Sequence, residues 1–72
     1  MKYLVIEIQT TAGGSVTQIV TIHDTKAEAE QKYHQVLSYA AVSDLAYHSV
    51  VILNAKGEWE KGETYNHTSI NS

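Results

Sequence analysis

The chain has no cysteine, no proline and no phenylalanine among its 72 residues. Without cysteine there is no disulfide, no thiolate zinc site and no cysteine nucleophile. Positive charge is scarce as well. Five Lys and Arg stand against eight Asp and Glu, for a formal net charge of −3. Affinity for nucleic acid rests largely on neutralising phosphates, so direct nucleic-acid binding is not expected. An acidic domain suits a basic protein surface instead, including one that normally holds nucleic acid. No apolar run approaches the ~20 residues of a membrane span. The run after Met1-Lys2-Tyr3 is also too short for a signal-peptide core and has no small-residue cleavage site behind it. The expectation is a cytoplasmic protein, in which the sequon Asn66-His67-Thr68 carries no glycan.

A chain this short buries only about 60–65% of its unfolded surface, which leaves a stability of a few kcal/mol. Small chains gain more from a disulfide, a metal or a partner subunit. With the first excluded and the histidines scattered, a partner subunit is the source left most open.

The patterning predicts a single α+β domain over 1–67, with 68–72 a flexible polar tail. Lys2 to Thr10 alternates as a strand, with Leu4, Ile6 and Ile8 on one face and Tyr3, Val5, Glu7 and Gln9 on the other. Gly13-Gly14 supplies a hairpin turn, and Val16 to His23 returns as a second strand. Thr25 and Glu28 form a T-x-x-E capping box, with Asp24 as the rival cap. Ala29, Tyr33, Val36, Leu37 and Ala40 then line one stripe of a helix that fades near Ala41-Val42. Tyr47 to Asn54 is a third strand containing the apolar run Val50 to Leu53. Asn54-Ala55-Lys56-Gly57 turns the chain into a fourth strand, Glu58 to Tyr65, with Trp59 and Tyr65 expected on the same side. Placing the apolar first and third strands centrally and the polar second and fourth at the edges gives a ββαββ domain whose antiparallel sheet has the order 2-1-3-4, with the helix across one face. Leu4, Ile6 and Ile8 are expected to meet the helix stripe, together with Ile52 and Val50 or its neighbours.

Residues able to carry chemistry are dispersed. His23, His34, His48 and His67 fall at different points of the topology, and no two share the i, i+4 spacing of a helical metal pair. His34, His48 and His67 are the candidates for a polar site, against the plainer reading of solvated or structural histidines. Glu58 and Glu60 offer a carboxylate pair on one face; a charged edge strand that blocks aggregation explains them as well. Gly13-Gly14-Ser15 joins two strands, lacks the Lys-Ser/Thr ending and is not a phosphate loop. No metal, no cofactor and no enzymatic activity are expected.

Aromatic residues leave a different option. Tyrosine and tryptophan dominate interface hot spots. Tyr3, Val5 and Val51 on the sheet face away from the helix, widened by Trp59 and Tyr65, form the candidate interaction surface. One helix covers one side of such a sheet, so the other side is expected to pair two copies as a homodimer.

The segments Lys32-Tyr33-His34-Gln35-Val36-Leu37, Ala40-Ala41-Val42-Ser43 and His48-Ser49 carry a resemblance. So do the opening Lys2-Tyr3-Leu4-Val5-Ile6-Glu7 and the closing Tyr65-Asn66-His67. Over Met1 to His67 the chain resembles small uncharacterised proteins of Firmicutes and their prophages. It departs from them at Leu45-Ala46-Tyr47, where a proline is expected. The likeness lies in texture and spacing and transfers no site. It implies a phage or mobile-element setting and the host cytoplasm. The expected function is protein binding and assembly, through self-association and contact with a host or phage protein, inhibition of a host defence system included. A virion assembly accessory and a small histidine-dependent enzyme are the alternatives.

Overall fold

Both hairpins close through the same kind of turn in the computed structural model, which describes residues 1–68. The expected polar tail lies, from 69 on, outside the described residues. In the first hairpin the Thr11 amide donates to the Ser15 carbonyl and the Gly14 amide to the Thr11 carbonyl. In the second, the Asn54 and Gly57 amides donate to the carbonyls of Glu58 and Asn54. Each three-residue loop ends on a glycine in the left-handed region, at φ 93° for Gly14 and 83° for Gly57. A side chain there would be strained, which is why glycine closes this turn type. The buried Asn54 also accepts the Lys56 and Glu58 amides on its Oδ1.

The elements run β1 (Tyr3–Thr10), β2 (Val16–His23), α1 (Lys26–Ala40), β3 (Tyr47–Asn54) and β4 (Trp59–Asn66). All neighbours pair antiparallel and the sheet order is β2-β1-β3-β4, as the strand composition predicts. Thr25 is the helix cap, its Oγ1 accepting the Glu28 amide at 3.2 Å. The rival cap, Asp24, pairs instead with Lys2. At the other end the Ala41 amide donates to the Leu37 carbonyl and the Val42 amide to the Tyr39 carbonyl. The Ala40 carbonyl also accepts from His67 Nε2 at 2.8 Å, so that nitrogen carries the ring proton. A residue beyond the last strand thereby satisfies a helix end that has no basic side chain in its final turn.

The helix rests on β3 and β1 and scarcely on β2. The core beneath it is Val5, Ala29, Tyr33, Val36, Val50 and Ile52, with Tyr3 and Leu37 packed at its margin. The helix stripe and the inward residues of β3 lie where the pattern puts them. β1 is turned over. Val5 is 1% exposed under the helix, while Leu4, Ile6 and Ile8 occupy the open face. The expected placement of Tyr3 and Val5 on the open face is therefore corrected. The rule that the more apolar face meets the helix assumes that a chain covers its most apolar surface by itself, and this chain does not.

Strand β4 needs a second correction. Ile52 pairs with Lys61, yet Leu53 pairs with Trp59, so Glu60 is an extra residue in the ladder. One inserted residue reverses the alternation. Trp59 falls on the open face opposite Leu53, whereas Tyr65 falls on the helix side opposite the buried His48. The two aromatics expected on the same side lie on opposite faces.

Candidate functional site

The register sorts the strand residues by face, and the sorting is unusually clean. The open face carries Leu4, Ile6, Ile8 and Thr10 from β1, and Val16, Gln18, Val20 and Ile22 from β2. From β3 and β4 it takes Tyr47, Ser49, Val51, Leu53, Trp59, Gly62, Thr64 and Asn66. None of these is charged. The Glu, Lys and His residues that have a ladder partner, Glu7, His23, His48, Lys61 and Glu63, all lie on the side that faces the helix, and Glu60, the extra residue, contacts Asn54 and Lys26. Several large side chains on the open face are well exposed: Trp59 at 65%, Ile22 at 64%, Val16 at 60% and Val20 at 49%.

Gly62 shapes the centre of this surface. A Cβ added there would stand 2.8 Å from Val51 Cγ1 and 3.2 Å from Trp59 Nε1. The missing side chain is what lets the indole and Val51 approach one another. Eight-residue strands at about 3.3 Å per residue, spaced about 4.8 Å apart, outline roughly 26 by 19 Å, or ~500 Å². Its apolar part, which leaves out Thr10, Gln18, Ser49, Thr64 and Asn66, falls toward the lower end of the largest apolar patches of monomers, about 300–600 Å², which are often functional.

Beneath the helix, polar groups sit in the core instead. His48 Nε2 lies 2.6 Å from Glu7 Oε2, with side chains 4% and 13% exposed. Gln9 Nε2 donates to the same carboxylate oxygen at 2.8 Å. Burial pushes the Glu7 carboxyl up, but the Gln9 amide, the His48 ring and the Lys32 ammonium pull it down further, so it lies below the ordinary carboxylate range. His48 Nδ1 is buried and meets no hydrogen-bond partner among the described residues. At the other end of the sheet Asn54 Nδ2 donates to both Glu58 and Glu60, and Lys26 stands 3.9 Å from Glu60. The carboxylate pair seen in the sequence thus holds a turn. Lys61 bridges to Glu30 and lies over the Tyr33 ring. Burial, then the nearby Glu63 and Glu30, raise the Tyr33 phenol above its usual value.

The sequence candidates do not converge on one place. His34 is exposed on α1, its ring edge-on to Tyr33 at 5.4 Å, beside an open cleft shared with His23, Glu28 and Lys32. His48 is buried with Glu7, and His67 caps the helix and stacks on Tyr65 at 6.2 Å. Among the described residues no three His, Asp or Glu side chains stand close enough to hold a metal ion. Of the proposed interaction surface, Val51 and Trp59 lie on the open face, while Tyr3, Val5 and Tyr65 lie on the helix side. Leu4, Ile6, Ile8, Val20 and Ile22, missed as surface residues, form the rest of it. The available signal was the lack of any charge at alternate positions of β1 and β2 together. Among the described residues no helix is long and apolar enough to cross a membrane. Comparison with protein-family models, with curated proteins and with solved structures gives no match.

Proposed function

We propose that the protein is a non-enzymatic protein-binding and assembly module whose working surface is the uncharged sheet face, and whose first partner is a second copy of itself. The observation that carries this is the inversion of the sheet: the paired Glu, Lys and His side chains lie on the helix side, and an uncharged, largely apolar face points outward. Water is a poor solvent for that face, and covering it is favourable at about 25 cal/mol per Å². Two outlines of ~500 Å² give about 1,000 Å² of interface, the threshold for a specific complex. A two-fold axis covers both faces at once and adds the stability that a 72-residue chain otherwise lacks.

The resemblance to small prophage proteins supports a mobile-element setting, with the host cytoplasm as its site of action. The net charge of −3 supports a basic protein surface as a further partner, one that a defence system or an assembling virion would present. Val51→Asp tests the face directly. Gel filtration should show the variant smaller than the parent protein, with the far-UV spectrum unchanged. A variant that elutes with the parent would remove the open face from the account.

A further inference from the structure

We propose a second association surface, independent of the open face: the free edge of β2, occupied by β2 of another copy, paired antiparallel about a two-fold axis at Ile19. Edge strands present unpaired backbone groups, and proteins usually guard them with charge, proline or a bulge. The β4 edge is guarded in this way, by Glu60, Lys61 and Glu63 and by the extra residue at Glu60. The β2 edge is not. From Val16 to Ile22 it holds no charge, no proline and no bulge, and its register with β1 is unbroken. The helix does not protect it either, and leaves Ile19 42% exposed on the helix side.

Two features identify the occupant as the same strand. The first is backbone phase. The Thr11–Ser15 bond that closes the hairpin fixes the alternation along the pair. Counting in twos, Thr17, Ile19 and Thr21 bond to β1, and the amides and carbonyls of Val16, Gln18, Val20 and Ile22 point out of the sheet. The second is that β2 reads almost the same in both directions about Ile19. Pairing at that axis sets Val16 against Ile22 of the second copy, Thr17 against Thr21 and Gln18 against Val20, with Ile19 facing its own counterpart. Every outward backbone group from Val16 to Ile22 then meets a partner, and the threonine and isoleucine pairs are favourable cross-strand neighbours. No like charges oppose one another. With the axis normal to the sheet both helices lie on one side, kept apart because each rests on its own β1 and β3. Two four-stranded sheets become one of eight strands, and the two uncharged faces become continuous on the other side.

The absence of cysteine from the chain provides the test. Ile19 sits at a non-hydrogen-bonded position of the pairing, where Cα atoms stand about 4.5 Å apart, within reach of a disulfide. Ile19→Cys at micromolar concentration, under mild oxidation, should form a covalent dimer at least roughly ten-fold faster than Glu63→Cys on the β4 edge, because paired thiols react at millimolar effective concentration. Adding Val51→Asp should leave that cross-link in place, which separates this edge from the open face. Ile19→Lys, with its far-UV spectrum unchanged, should lower the sedimenting mass. Equal rates for the two cysteine variants, loss of the cross-link with Val51→Asp, or an unchanged mass for Ile19→Lys would each overturn the proposal.

Discussion

Val5 and Val51 lie on adjacent central strands but on opposite faces, so the same substitution at each should have opposite consequences. Val5 is 1% exposed, opposite Ile52 and against the helix stripe. An aspartate there would be an uncompensated buried charge, at a cost of about 3–5 kcal/mol, besides the lost packing of a valine at about 1.5–3 kcal/mol. At ~0.05–0.15 kcal/mol per residue the whole domain holds only about 4–11 kcal/mol, so Val5→Asp should leave it largely unfolded. Val51 faces outward opposite Ile6 and Gly62. In a free subunit its aspartate would reach water, and the fold should lose about 1 kcal/mol. In a face-to-face dimer the same charge is desolvated once per subunit, and a loss of even ~3 kcal/mol weakens association more than a hundred-fold. Far-UV circular dichroism with urea titration reads the first effect, and sedimentation velocity the second. A folded Val5→Asp variant beside an unfolded Val51→Asp variant would refute the face assignment.

Three further outcomes are expected. The Glu7 carboxyl is held below its usual value of 4.5, so its contribution to stability is present above that pH and is lost as the pH falls through the depressed value; Glu7→Gln should flatten the acid limb of a pH–stability curve relative to the parent. Leu37 packs at the core margin and is only partly buried, so Leu37→Ala should cost about 1–2 kcal/mol in urea titration, below the 2–5 of a fully buried leucine. Gly62→Ala would drive a methyl into Val51 and the Trp59 indole, and should cost about 1–3 kcal/mol with a shift in tryptophan emission.

The element order and the strand order were legible in the sequence because capping, turn glycines and the contrast between β3 and its charged neighbour β4 all agree. The faces were not. Both alternations of β1 are apolar at Leu4, Ile6 and Ile8 or at Tyr3 and Val5, and only the register with β3 shows that Glu7 must lie with His48. Burying that pair under the helix turns the more apolar set outward. The extra residue at Glu60 has no local signature either, yet it separates Trp59 from Tyr65. β2 reached its edge position in the expected order, but as an uncharged strand with Val16, Val20 and Ile22 exposed, not as a polar one. An apolar face left open breaks the pattern rules, because they describe what a chain buries alone.

Sedimentation equilibrium of the unmodified chain across micromolar concentrations tests the central claim most directly. The expected result is a mass that rises with concentration to a multiple of the 8.0 kDa chain, accompanied by a blue shift of the single tryptophan, Trp59, as the open face is covered. A constant 8.0 kDa species with unchanged emission would contradict it.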